Sequence, residues 1–227
     1  MTRLRIARFA AAAAMIGSLG FAASAGAAVT VFSNSFENGA FVDTDAGAPV
    51  AHKLPLGSTA MTGWTVSAGA PTDAVTWIQE VSFGLSTPSG EKFLDLTSYQ
   101  NNGRGGVSTT LATLSGWTYT VQFDLGTSWN YNGATAAGIE VKAGAAPLGT
   151  FNFVAPANQN NLWQTQTTST FAGTGGNVVL SFTGTSGVNY IGLDNVVVTA
   201  VPEPQAYALA LAGLGLVGFV ARRRKQA

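Results

Sequence analysis

Apolar and polar residues alternate along most of the chain between residues 28 and 200. The clearest run is Thr118–Leu125, in which Tyr119, Val121 and Phe123 alternate with Thr and Gln residues. A period of two gives one buried and one solvated face, so it predicts strands of antiparallel sheets. Further strands are predicted at Val75–Val81, Phe93–Leu96, Gly106–Leu111, Gly138–Lys142, Leu148–Val154, Trp163–Phe171, Asn177–Phe182 and Ile191–Val198.

Glycine-rich turns separate these segments, for example Gly103–Gly106 and Gly173–Gly176. No segment of this region has a convincing helical pattern. Nine or more short strands predict an all-β fold, an antiparallel β-sandwich or jelly roll, in one domain over residues 28–200. A region of this length is large enough to bury a sizeable core.

Residues 1–27 have the pattern of a secretory signal peptide. Three arginines within the first eight residues precede the apolar run Phe9–Ala23, and Ala25-Gly26-Ala27 provides a small-residue exit. These features predict export and cleavage by signal peptidase. The alternative is an uncleaved membrane anchor.

Residues 201–227 form a second distinctive end. Val201-Pro202-Glu203-Pro204 is followed by the uncharged stretch 206–221 and by a basic tail at 222–225. The two prolines are expected to end the preceding strand and to let a helix begin after them. That helix is about 24 Å long at 1.5 Å per residue, which predicts a transmembrane helix at 206–221. The basic tail marks the cytoplasmic side, so the domain lies outside the cytoplasm.

This end resembles the PEP-CTERM sorting signal of Gram-negative bacteria, which joins a Pro-Glu-Pro motif, a transmembrane helix and a basic end. Pro202, Glu203 and Pro204 match the motif. The resemblance implies recognition by an exosortase, cleavage near these residues, and transfer of the domain to the cell surface or the extracellular matrix. It also implies a bacterium that makes exopolysaccharide. The alternative is a plain tail anchor that is never cut.

Charge and composition exclude several classes of function. Between the two ends lie ten acidic and only four basic residues, so no basic surface for nucleic acid is expected. The chain has no cysteine and a single histidine, His52, which excludes Cys/His zinc sites, thiol nucleophiles and disulfides. No G-x-S-x-G motif is present either.

The order of motifs in the middle region resembles the galactose-binding-like jelly roll of carbohydrate-binding modules and surface-anchored proteins. The motifs are Asn34–Gly39, Gly63–Val66, Pro88–Leu96, Val107–Leu111, Gly116–Gly126, Trp163–Phe171 and Leu193–Val196. In such modules a structural calcium often joins the N-terminal segment to the last strand. The resemblance therefore implies Glu37 and Asp194 as calcium ligands. The alternative is that Glu37 ends a strand and Asp194 hydrogen-bonds a turn.

Two loops carry aromatic residues among carboxamides. One is Trp129-Asn130-Tyr131-Asn132-Gly133, and the other begins at Tyr99. Aromatic faces and planar amides are the groups that sugar recognition needs, so Trp129, Asn130, Tyr131 and Tyr99 are the predicted carbohydrate-binding residues. The alternative is that each aromatic side chain covers one end of the sandwich.

These observations predict an exported, non-catalytic protein that binds extracellular polysaccharide. A structural or adhesive matrix protein without a specific glycan is the main alternative. A hydrolase is a third class of function. Glycosidases need two carboxylates in a cleft, and the sequence assigns no such pair.

Overall fold

The computed structural model describes residues 27–45, 50–79, 85–97, 104–129, 136–186 and 190–224 of the 227-residue chain. The predicted signal peptide lies outside the described residues, apart from Ala27. The elements are β1 (Val29–Asn34), β2 (Ala51–Leu54), β3 (Thr65–Ala68), β4 (Val75–Gln79), β5 (Lys92–Asp95), β6 (Gly106–Ala112), β7 (Trp117–Thr127), β8 (Ala136–Ala143), β9 (Ala146–Val154), β10 (Leu162–Thr167), β11 (Phe171–Ala172), β12 (Asn177–Ser186), β13 (Gly192–Pro202) and α1 (Pro204–Arg224).

The strands form two antiparallel sheets, which confirms the predicted all-β sandwich. An eight-stranded sheet has the order β10-β7-β13-β5-β4-β2, with β1 paired to β13 and β11 paired to β7. A five-stranded sheet has the order β3-β6-β12-β8-β9. The connections cross repeatedly, so neighbours in a sheet are mostly distant in sequence.

The core lies between the sheets and is built from alternate residues of the strands. Phe123 on β7 meets Phe182 on β12 edge to face, with ring centroids 5.3 Å apart. Trp64 packs against Phe36 and Phe182 and is almost fully buried. Each such side chain contributes about 1.5–3 kcal/mol through its removal from water.

The predicted strand at Trp163–Phe171 is interrupted, which the period-two pattern does not show. Its two parts are β10 and β11, and Thr168 between them is buried. The Thr168 N–H donates to the Val121 carbonyl at 2.9 Å, and the Thr168 hydroxyl accepts from the Val121 N–H at 3.2 Å. The Thr168 hydroxyl therefore replaces a backbone carbonyl as the acceptor for Val121, and the strand is interrupted between β10 and β11.

The C-terminal helix begins at Pro204, two residues before the predicted start at 206, and ends at Arg224, three residues after the predicted end at 221. Pro202 does not end the preceding strand, because it is the last residue of β13. Its leucine, valine and phenylalanine side chains from Leu209 onward are about half exposed or more. Among the described residues, no helix is both long enough and apolar enough to cross a membrane. The transmembrane helix at 206–221 is therefore not confirmed.

A tryptophan ring covers one end of β7 and β13 on the outer face of the eight-stranded sheet. Trp163, Gly126 and Gly192 are directly opposite one another on β10, β7 and β13. A Cβ on Gly126 would lie 2.6 Å from the Trp163 ring, so the indole occupies the space that a side chain would need. The indole N–H donates to the Ser86 carbonyl at 2.7 Å and the ring packs against Phe93, which holds it in place.

We expect Gly126→Ala to destabilise the fold by about 1–3 kcal/mol, because the anchored indole of Trp163 must move to admit the methyl group. Gly176→Ala is the matched control, since only one atom, at 3.9 Å, lies near the position of its Cβ. Urea unfolding of both variants measures the difference. Equal stabilities would contradict the packing described for Trp163.

Candidate functional site

Two carboxylates face each other on the outer side of the eight-stranded sheet. Asp194 on β13 is directly opposite Asp124 on β7. The ladder shifts register just beyond Asp194, where Asn195 has a φ of 47°. The Asn195 side-chain amide donates to Asp124 at 2.8 Å, and the Thr165 hydroxyl donates to the other oxygen of Asp124 at 2.6 Å. Like charges directly opposite are unfavourable, so this bulge marks a special position.

Asp194 is fully buried. Its Oδ1 accepts the Asn195 N–H at 2.7 Å, and its Oδ2 lies 3.0 Å from the Thr87 hydroxyl. That hydroxyl also lies within hydrogen-bonding distance of the Ser89 carbonyl. A hydroxyl has one proton, so it cannot donate to both oxygens at once. A protonated Asp194, or a cation at its Oδ2, would resolve this conflict.

Glu37 joins this cluster through the segment before β5. Its Oε1 accepts the backbone N–H groups of Glu91 and Lys92, each at 3.0 Å. A Cβ on Gly90 would lie 2.2 Å from Glu37 Oε1, so only glycine allows this approach. The Lys92 ammonium lies 3.7 Å from Glu37 Oε2. Residues 87–92 thereby bring Glu37 and Asp194, the two predicted calcium ligands, to one place.

Burial raises the pKa of Asp194 to about 7. The hydrogen bonds from Asn195 and Thr87 act in the opposite direction, and the negative charges of Glu37 and Asp124 raise the pKa further. Three carboxylates therefore interact here, with Lys92 on one of them. The described residues contain no group of three or more His, Asp or Glu side chains that could hold a metal ion.

Asp95 is, with Asp194, the other carboxylate among the described residues that is buried on this face of the sheet. It accepts the N–H and hydroxyl of Thr97 and the N–H of Ile191, at 2.8–3.0 Å. Burial raises its pKa, although these hydrogen bonds oppose the shift. Its contacts are those of a group that joins the end of β5 to the start of β13.

Trp129 follows β7 and is partly exposed. The backbone N–H of Trp129 donates to the Gln159 backbone carbonyl at 3.1 Å, and the neighbouring Ser128 hydroxyl donates to the Asn160 side chain at 3.3 Å. The loop before β10 therefore lies against Trp129. Of the other predicted carbohydrate-binding residues, Asn130, Tyr131 and Tyr99 lie outside the described residues.

The loop beside Trp129 is rich in carboxamides and was missed as a candidate site in the sequence. Residues 158–161 read Asn-Gln-Asn-Asn and are all exposed. The Asn161 side chain accepts the Ser86 N–H at 2.9 Å, which connects this loop to the segment beside Asp194. The run of carboxamides was a visible signal, but its place beside Trp129 follows only from the pairing of β10 with β7.

The sorting motif is continuous with the sheet. Pro202 is the last residue of β13, opposite Trp117 at the start of β7. The Glu203 N–H donates to the Gly116 carbonyl at 2.8 Å. Pro204 is the first residue of α1.

Comparison with known proteins identifies the tail. Residues 200–225 match the PEP-CTERM protein-sorting motif, and the predicted sorting signal is thereby confirmed. No curated protein matches the chain.

Among solved structures, the chain is similar to a Stig cyclase from Fischerella sp. TAU, with 19% identity, 77% of this chain and 100% of that chain covered, and a TM-score of 0.49. It is similar to a family 35 carbohydrate binding module from Clostridium thermocellum, with 14% identity, 54% and 86% coverage and a TM-score of 0.40. It is also similar to the K3 cleaved adhesin domain of Lys-gingipain from Porphyromonas gingivalis, with 15% identity, 76% and 99% coverage and a TM-score of 0.38.

We expect the free energy of unfolding, measured without divalent cations, to fall as the pH rises from about 4 to 7. The raised pKa values of Asp194 and Asp95 mean that the folded chain binds more protons than the unfolded chain in this window. The contribution of a shifted group is complete below pH 4 and decreases by up to about 1.4 kcal/mol per pH unit. Burial lowers the pKa of His52, which contributes with the opposite sign.

Asp194→Asn should flatten this pH dependence, and Glu140→Gln at the surface should leave it unchanged. Denaturant unfolding at pH 4 to 8 in the presence of chelator measures the slopes. An unaltered slope in Asp194→Asn would show that Asp194 does not titrate in this range.

Proposed function

We propose that this chain is an exported, non-catalytic surface or matrix protein of a Gram-negative bacterium and that it binds extracellular polysaccharide. The sorting motif indicates export, processing by an exosortase, and membrane or surface anchoring. Cleavage of residues 1–27 by signal peptidase and anchoring through the C-terminal helix are parts of the proposal, as is a galactose-binding-like jelly roll for the ectodomain.

The placement of Trp129 is the observation that carries the glycan part of the proposal. Trp117 is the first residue of β7, and Trp129 follows the last residue of β7 by two positions. At about 3.3 Å per residue, the two ends of this strand are roughly 33 Å apart. The sorting motif lies at the Trp117 end. Trp129 and the carboxamide loop 158–161 therefore lie at the end that points away from the tail. A binding surface of a tethered protein is expected at that end.

The side chains of Trp129 and of the carboxamide loop 158–161 are of the types that bind sugars. A partly exposed indole offers a flat apolar face, and the neighbouring side chains of Asn158, Gln159 and Asn160 offer donors and acceptors for hydroxyl groups. Small numbers of well-placed polar groups beside an aromatic surface are typical of ligand sites.

Calcium is proposed as a structural ion at Glu37 and Asp194. The donors at this place are hard oxygens, which calcium prefers, and the Thr87 hydroxyl adds a neutral oxygen beside Asp194. A cation there would neutralise a fully buried carboxylate that faces another carboxylate across the ladder. It would also tie the segment after β1 to β13, which stabilises both.

The non-catalytic part of the proposal is an expectation from the sequence. Asp95 and Asp194 are almost or completely closed to solvent, so neither of these two carboxylates is placed to act on a sugar. The main alternative remains a structural or adhesive matrix protein without a specific glycan, and the binding experiment below separates the two functions.

We expect a soluble domain of residues 28–203 to bind at least one polysaccharide of a panel, and Trp129→Ala to weaken that binding about tenfold or more. The domain ends at 203 because β13 and its last hydrogen bond extend that far. Replacement of Asn158, Gln159 and Asn160 by alanine should have a similar effect. Leu114→Ala is the matched control, an exposed apolar residue before the opposite end of β7.

Affinity electrophoresis on polysaccharide gels measures these effects. Unchanged binding in Trp129→Ala would show that the glycan site is not at Trp129. A folded domain that no polysaccharide retards would favour the structural matrix function.

We expect calcium to raise the melting temperature of the same domain and chelator to reverse the rise. A ligand at about 100 times its Kd stabilises the folded state by about 2.7 kcal/mol. Glu37→Gln and Asp194→Asn should each abolish the effect, whereas Asp45→Asn, in an acidic loop near β2, should retain it. Differential scanning calorimetry gives the measurement, and melting curves that calcium leaves unchanged would exclude the ion.

A further inference from the structure

The sorting motif is part of the folded sheet and does not lie on a linker. Val201 is opposite Thr118 and Pro202 is opposite Trp117 in the β7–β13 ladder. The Glu203 N–H donates to the Gly116 carbonyl one position further on. The helix then begins at the next residue. No free segment separates the ectodomain from Pro202 and Glu203.

The geometry of the ladder explains why a proline can stand here. In antiparallel pairs, hydrogen-bonded and non-hydrogen-bonded positions alternate. Because Glu203 bonds Gly116, Pro202 is at a non-hydrogen-bonded position, and its nitrogen points away from β7. On that side β1 begins at Val29, opposite Ala200, so no strand residue lies beside Pro202. The missing N–H therefore costs no ladder hydrogen bond.

In the part of the chain that the structure describes, β7 and the Gly116 before it are the strand partners of residues 201–203. Trp117 itself packs against the core, so this part of β7 is firmly placed. The end of β13 can separate from it while the rest of the domain stays folded, since strand ends open locally at lower free energy than the whole domain. By the same alternation, Val201 and Thr118 exchange two hydrogen bonds, and the bond from Glu203 is the third. Loss of these three bonds makes the separated form on the order of ten- to a thousandfold rarer than the paired form.

Enzymes that cut a peptide chain commonly bind it extended, through its own backbone groups. The backbone of Glu203 already donates to Gly116, so these groups are not available in the paired form. We propose that the exosortase takes this motif only after residues 201–203 have separated from β7, so that the folded ectodomain limits the rate at which its own tail is removed. This rests on the proposed function of the tail as an exosortase signal.

Cutting breaks one backbone amide near the motif. Its carbonyl carbon passes to water or to an acceptor amine, and the released amino group stays on the tail. Access to that bond is the same for either acceptor.

A disulfide between β7 and β13 tests this coupling. Thr118→Cys with Val201→Cys would lock the last ladder positions. Thr120→Cys with Thr199→Cys is the matched control, two residues further into the same ladder and on the same outer face. Both pairs are at hydrogen-bonded positions, where the Cα atoms of opposite residues are about 5.5 Å apart, which suits a disulfide. The exported chain has no other cysteine.

Both full-length chains are produced in a Gram-negative host that carries an exosortase, and a pulse–chase experiment follows removal of the tail. We expect the Thr118–Val201 disulfide to slow removal at least tenfold, with recovery in dithiothreitol, and the Thr120–Thr199 disulfide to have no effect. Insertion of Gly-Ser-Gly-Ser between Val201 and Pro202 should speed removal severalfold, because the motif then no longer belongs to the sheet.

Wild-type rates for the oxidised Thr118–Val201 variant, confirmed as cross-linked and folded, would overturn the inference and leave the sorting function intact. A wild-type chain whose tail is removed equally in a host lacking exosortase, or never removed, would overturn the sorting function itself. Hydrogen exchange gives a readout without the enzyme. The Glu203 amide should be protected in the wild-type chain, and exchange at the rate of an unfolded peptide would contradict the pairing on which the inference depends.

Discussion

The pairing of β7 with β13 in the middle of the eight-stranded sheet is the interaction on which the rest of the structure depends. The two strands are eleven residues each and are in register from Gly192 opposite Gly126 to Pro202 opposite Trp117, with one shift after Asp194. Their inner residues form much of the core between the sheets. On their outer face, the Trp163 ring covers two glycines, and Asp124 faces Asp194. The last pair of the ladder, Trp117 and Pro202, comes directly before the helix. A disturbance of this ladder would therefore reach every feature with a proposed role.

The ladder also separates the two functions in space. At one end lie Asp194, Asp124 and the loops around Trp129, where the proposed ion and glycan would bind. At the other end, the same two strands hold Pro202 and Glu203 beside the helix. An antiparallel pair of this length keeps the carboxamide loop 158–161 far from the sorting motif, so that the proposed polysaccharide binding and processing of the tail need not interfere.

Parts of the fold follow from local patterns alone. The alternation at Thr118–Leu125 locates the middle of β7, and Pro204 marks the start of the helix, because side-chain period and the missing proline N–H act within a few residues. Other parts do not follow. The break at Thr168 depends on a hydrogen bond with Val121, and the continuation of β13 through Pro202 depends on where β1 begins. Both are decided by a neighbouring strand that is distant in the chain.

The sequence by itself determined the sorting motif, the all-β class and the absence of cysteine, because a short motif, a side-chain period and composition need no partner in space. Its resemblance to a known fold implied Glu37 and Asp194 as calcium ligands. That the two residues lie at one place is visible only in the tertiary structure, through the hydrogen bonds of residues 87–92. The carboxamide loop beside Trp129 and the attachment of Glu203 to Gly116 were likewise decided by tertiary structure. The physical reason is the same in each case: strand pairing joins residues that are far apart in sequence, and no local pattern records which strands become neighbours.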